Sequence, residues 1–272
     1  MRRAHSDRPD SSRRRTWGAS RAAVPARYLA LSTRPLHILA FLSPLIVLYE
    51  VGSMVYLSGI SSGVDVSARR LLRVFFEHFG AFSLHLPGIA LAVVLLLWHV
   101  LERDPWMVRG RVLAGMFVES IIWTLPLLVL GLFFSQRAPS AAGAALLAAD
   151  GGVASMAWQA RLTLSIGAGI YEELLFRLIA IAALHAVLVD MMRMRERTGY
   201  IIAALVASAA FAAYHDVWTP GGLDLALAAY YMLAGAYLSG VFIARGFGLA
   251  VAAHAWYDIV ALVLLPADGG AA

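Results

Sequence analysis

What most constrains this chain is a succession of apolar stretches, each close to the ~20 residues that a bilayer-crossing helix requires. They lie at about 36–59, 82–101, 112–135, 162–188, 200–215, 223–244 and 246–265. Inside lipid there is no water to satisfy backbone N–H and C=O groups, so stretches of this length become helices. The 272 residues are 61% hydrophobic and only 14% charged. That composition excludes an ordinary soluble domain and a disordered chain. The expected fold class is therefore all-α: a polytopic membrane bundle of about seven transmembrane helices.

An eighth segment, 64–80, sets Leu71, Leu72, Val74, Phe75 and Phe76 beside Arg69, Arg70 and Arg73. It is too charged to span and reads as an interfacial helix. The expected organisation is an Arg-rich disordered tail over 1–35, amino-terminal membrane helices over 36–137, an Ala/Gly-rich link over 138–154, and a carboxy-terminal membrane core over 155–266. No repeat relates the two halves.

All 22 basic residues are arginine, and nine precede residue 35 against two acids, Asp7 and Asp10. The tail is thus +7 and the rest of the chain −2. The body has no basic face for nucleic acid, and the tail suits anionic lipid headgroups. Arginine placement also orients the chain. With the tail cytoplasmic, Arg103, Arg109, Arg111, Arg193, Arg195, Arg197 and Arg245 share its side, whereas Arg69, Arg70, Arg73 and Arg137 fall outside. The positive-inside rule then places the amino terminus in the cytoplasm and the carboxy terminus outside. There are no cysteines, which removes disulfides and thiolate chemistry.

Ionisable residues inside apolar spans cost at least ~2.5 kcal/mol each on insertion scales, so the few present call for explanation. Tyr171-Glu172-Glu173-Leu174-Leu175-Phe176-Arg177 is the richest run. Glu173 and Arg177, four apart, stack on one helix face and can pair. Glu172 is turned about 100° away and must face something else. Phe211-Ala212-Ala213-Tyr214-His215 ends one apolar segment in a histidine, and His254-Ala255-Trp256-Tyr257-Asp258 puts His and Asp on one face of the last. Small residues crowd these later segments and permit close helix approach. If three helices pack together, Glu172, His215, His254 and Asp258 converge. Such a group can deprotonate a water, stabilise an oxyanion or bind a divalent metal. It also suits a proton relay or transporter pathway.

These runs, EExxxR, FxxxH and HxxxD in that order, resemble the motifs of the CPBP family of intramembrane proteases. That family includes type II CAAX prenyl endopeptidases and bacteriocin-processing or immunity proteins. The likeness covers roughly residues 160–265, including the approach Gly246-Phe247-Gly248-Leu249 to the last motif. It implies hydrolysis of a peptide bond in a membrane-embedded or lipidated protein. By resemblance, Glu172 is the general base, and His215 helps hold the water. His254 and Asp258 stabilise the oxyanion or bind metal, with Glu173 and Arg177 as a supporting pair. The implied cofactor is a divalent metal held by Glu172, His215, His254 and Asp258, zinc before others, or none. Asp258 departs from the frequent asparagine. An ionised aspartate cannot donate to an oxyanion, so it must be protonated, orient His254 or ligate metal. A non-catalytic immunity-type role on the same fold is the further alternative.

There is no HExxH, no GxSxG and no Gly-rich phosphate loop. Glu50 and Glu119 are expected to make helix–helix hydrogen bonds rather than serve a site. Counting 1.5 Å per residue from the cytoplasmic helix ends puts Glu172, His215 and His254 about 27, 22 and 12 Å deep. One site needs one depth. Either the helix boundaries differ by several residues from these, or the helices tilt and the fourth segment extends into the cytoplasm past His185, where Asp190, Arg193, Arg195 and Arg197 favour water.

Overall fold

The computed structural model describes residues 28–57, 66–78, 86–137, 153, 156–215, 217–219 and 221–265. Most of the expected tail and of the 138–154 link lies outside them. Among the described residues the main helices are, in order, α1 Pro35–Leu57, α2 Ser67–His78, α3 Leu86–Glu102, α4 Gly110–Arg137, α5 Trp158–Met191, α6 Glu196–Tyr214, α7 Leu225–Arg245 and α8 Phe247–Leu264. Between α6 and α7 lies a hairpin of two-residue strands, β1 Trp218–Thr219 and β2 Gly222–Leu223.

Among the described residues, six helices are long and apolar enough to cross a membrane, and the apolar stretch Pro87–Glu102 of α3 is shorter. They follow the order of the seven expected segments. The fold is an all-α membrane bundle, and the chain is a multi-pass membrane protein. Its outer surface carries large apolar side chains, such as Val47, Leu48, Ile122, Val129 and Ile201, as a lipid-facing surface should. The most buried of the six is α8, which packs against α5, α4, α7 and α1. Its sequence explains its place: Gly248, Ala250, Ala252, Ala253 and Ala255 present little bulk, so neighbours approach closely. A Cβ on Gly169 of α5 would lie 2.8 Å from the Ala255 backbone nitrogen. Glycine is what lets α5 and α8 meet there.

Short connections hold the later helices. The Asp224 carboxylate accepts from the N–H groups of Ala226 and Leu227 at 3.0 Å each, capping α7. Gly246 at φ 83° turns the chain from α7 directly into α8, a conformation glycine adopts without strain.

Two expectations need correction. Residues 28–35 do not belong to a disordered tail. A helical turn over 28–32 docks on the bundle through Tyr28 and Ser32, which bond Glu119 and Arg245, and α1 begins at Pro35. Nor does Arg69 lie at the interface with Arg70 and Arg73. It points inward, is only 2% exposed, and donates to Glu50 Oε2 and the Tyr49 hydroxyl, each at 3.2 Å. A polar partner inside the bundle outweighs the water that an interfacial arginine would otherwise keep. The remainder of α2 is the expected amphipathic helix, with Ala68 and Leu72 buried and Leu71 and Phe75 exposed.

Candidate active site

The three motifs meet where α5, α6 and α8 pack. The first motif lies in α5, which runs 34 residues through Met191. It is π-helical over Leu174–Ile181 and again over Ala186–Met191. A π-turn takes more residues per turn than an α-helix and often marks a functional position. Here it begins one residue after Glu173.

Glu173 and Arg177 form the expected pair, Nη1 to Oε1 at 2.9 Å, with both side chains wholly buried. Arg177 also donates from Nη2 to the Gly235 carbonyl at 3.2 Å, and its guanidinium lies 4.4 Å from the centre of the Phe211 ring. A buried charge persists only with this degree of compensation. Glu173 has a second task that the sequence did not reveal. Its Oε1 is also 2.8 Å from Nδ1 of His254, so it fixes that imidazole as well as the arginine. Nothing in the spacing of residues 173 and 254 could signal this contact, because it depends on how α5 and α8 rotate against each other.

Glu172 is buried as well. Its Oε2 stands 3.9 Å from His215 Nε2 and 3.8 Å from His254 Nε2, beyond direct hydrogen-bond distance in both cases. Its Oε1 accepts from the Tyr214 hydroxyl at 3.5 Å. Asp258 Oδ2 lies 3.5 Å from His254 Nε2, one helical turn along α8. His215 places Nδ1 2.8 Å from the Phe211 carbonyl, and its ring stacks on Tyr231 with centroids 3.8 Å apart. A carbonyl can only accept, so Nδ1 carries a proton and the neutral ring offers Nε2 as acceptor. All six residues singled out in the sequence are thus brought together.

Among the described residues, no group of three or more His, Asp or Glu side chains is placed to hold a metal ion. One ring nitrogen of His254 is engaged by Glu173, and the other lies 3.8 Å from Glu172 Oε2 and 3.5 Å from Asp258 Oδ2. As placed, Glu172, His215, His254 and Asp258 are not a preformed metal centre.

Glu50 and Glu119 behave as expected of helix–helix contacts. Glu50 of α1 takes Arg69 of α2 on Oε2, and the Tyr171 hydroxyl of α5 on Oε1 at 2.7 Å. Glu119 of α4 accepts from Arg245 of α7, Tyr28 and Trp123.

No curated protein and no solved structure matched the chain. Residues 154–260 match the protein family described as type II CAAX prenyl endopeptidase Rce1-like. The matched segment contains all three motifs and the helices that bring them together. Residues 154–260, the segment that holds the clustered glutamates, histidines and aspartate, are thus similar to a type II CAAX prenyl endopeptidase Rce1-like domain.

Proposed function

We propose that the chain hydrolyses a peptide bond of a lipidated or membrane-embedded protein, with Glu172 as the base that activates water. The observation that carries this reading is the 3.9 Å gap between Glu172 Oε2 and His215 Nε2. Both atoms are acceptors when the carboxylate is ionised and the imidazole neutral. Two acceptors facing each other need a donor between them, and a water ~2.8 Å from each satisfies both.

The steps follow from that placement. Glu172 takes one proton from the water as its oxygen attacks the scissile carbonyl carbon, and the C=O π pair moves onto the carbonyl oxygen. His254 supplies charge to that oxyanion from Nε2 while Nδ1–H remains bonded to Glu173. Donation from both nitrogens requires the imidazolium, whose charge Glu173 balances from the Nδ1 side. The proton on Glu172 then passes to the amide nitrogen, the C–N bond breaks, and the carboxylate is restored. In this scheme Asp258 orients His254, which reconciles an aspartate with a position next to an oxyanion.

By the distribution of arginines, the amino terminus is cytoplasmic. The family match favours a prenylated carboxy-terminal segment as substrate. The test is cleavage of a farnesylated CAAX peptide by purified protein in detergent, beside an unprenylated membrane peptide. Glu172→Gln keeps shape and removes the base, so turnover should fall about 10²–10⁴-fold with unchanged membrane expression. Substantial turnover by that variant overturns the assignment of Glu172. Cleavage of the unprenylated peptide alone retains the endopeptidase and rejects the lipidated substrate.

A further inference from the structure

Tyr214 enters the sequence motif only as the spacer before His215, yet its hydroxyl reaches the carboxylate of Glu172. The two oxygens of that carboxylate are differently placed. Oε2 faces both imidazoles across gaps of 3.8 and 3.9 Å, whereas Oε1 takes the Tyr214 hydroxyl at 3.5 Å. A carboxylate free to rotate about its last torsion would exchange these oxygens and swing out of the plane shared with the water. The phenol opposes that rotation.

The phenol is itself well fixed. Its ring packs edge-on against Phe176, at 5.3 Å between centroids, and against His215 at 5.1 Å. Phe176 belongs to the π-helical stretch of α5, so the turn that follows Glu173 also supplies this wall. The Ser67 side chain and the Ala68 backbone amide, at the start of α2, reach the same phenol. Neighbouring Arg69 holds that end of α2 in the bundle through Glu50. A line of contacts therefore runs from the amphipathic helix, through one phenol, to one carboxylate oxygen.

We propose that Tyr214 is a positioning residue for the hydrolytic reaction, holding Glu172 so that Oε2 faces the water, with the first turn of α2 bracing the phenol. This rests on the reading of Glu172 as base. No contact of Tyr214 with substrate is implied, so its removal should act on kcat rather than KM.

The experiment compares wild type, Tyr214→Phe, Ser67→Ala and Glu172→Gln as full-length protein in detergent, with the farnesylated CAAX peptide as probe. Tyr214→Phe keeps the ring and deletes the hydroxyl. Its kcat should fall about five- to tenfold, the effect of one modest hydrogen bond, with KM within about twofold and Tm unchanged. Ser67→Ala should lower kcat in the same direction by about twofold, since it removes one brace of the phenol. Wild-type kcat in Tyr214→Phe, or a change confined to KM, overturns the proposal while leaving the base intact, provided Glu172→Gln is inactive. Should Tyr214→Phe fold poorly, Ser67→Ala decides: an unchanged kcat there refutes the link to α2. Turnover by Glu172→Gln would instead remove the premise on which the positioning role rests.

Discussion

Glu119 and Glu172 are both glutamates carried into apolar helices, and they keep opposite company. Glu119 is saturated: Arg245 donates from Nη2 to its Oε2 at 2.9 Å, Trp123 to its Oε1 at 3.0 Å, and the Tyr28 hydroxyl closes on the same carboxylate. Glu172 has one long bond from Tyr214 and two imidazole nitrogens held 3.8 and 3.9 Å away. A carboxylate whose lone pairs are all engaged joins helices, here α4, α7 and the turn before α1. One whose best oxygen faces partners just out of reach leaves room for a reactant. Burial alone does not separate structural from chemical charge inside a membrane; the spacing of the partners does.

Breaking the support beneath the open cluster should have the largest effect. Arg177→Ala leaves Glu173 buried and uncompensated, at a cost of about 3–5 kcal/mol, and releases the Nδ1 anchor of His254. Both the melting temperature in detergent and peptide cleavage should drop sharply. An Arg177→Ala protein as stable as wild type would show that Glu173 does not depend on it. The saturated cluster should respond differently. Glu119→Gln weakens charge-assisted bonds worth about 1.5–3 kcal/mol each, so thermal stability should fall. Turnover per folded molecule, normalised by active protein, should stay at wild-type level. A loss of kcat in that variant would erase the distinction between the two clusters.

The smallest effect is expected at Asp258. If it only orients His254 from 3.5 Å, Asp258→Asn keeps a side-chain oxygen for that purpose and should preserve or raise activity. Chelator should leave wild type and variant unchanged, with metal content measured on the same samples. Loss of activity in Asp258→Asn with partial recovery on added zinc would instead assign the carboxylate to a metal.

Apolar periods of bilayer length dictated the helices and their order, because a backbone in lipid has no alternative to satisfying itself. The pairing of Glu173 with Arg177 was legible too, since residues four apart on a helix are neighbours whatever surrounds them. The interfacial character of α2 was visible in its mixture of arginine and apolar residues, but the inward turn of Arg69 was not. That required Glu50, nineteen residues away, to sit across from it. The docking of residues 28–32 escaped detection for the same reason: their partners, Glu119 and Arg245, belong to distant helices.

By itself, then, the sequence determined which residues are costly in a membrane and which of them lie one helical turn apart. Tertiary structure alone decided how those short-range sets face one another. The π-helical stretch of α5, the Gly169–Ala255 approach and the abrupt turn at Gly246 set the rotation and depth of α5 and α8. From that rotation come the Glu173–His254 bond, the gap between Glu172 and His215, and the reach of Tyr214 to Glu172. Local spacing fixes neighbours along a helix because its geometry is constant. Contacts between helices depend on packing that no short stretch of sequence contains.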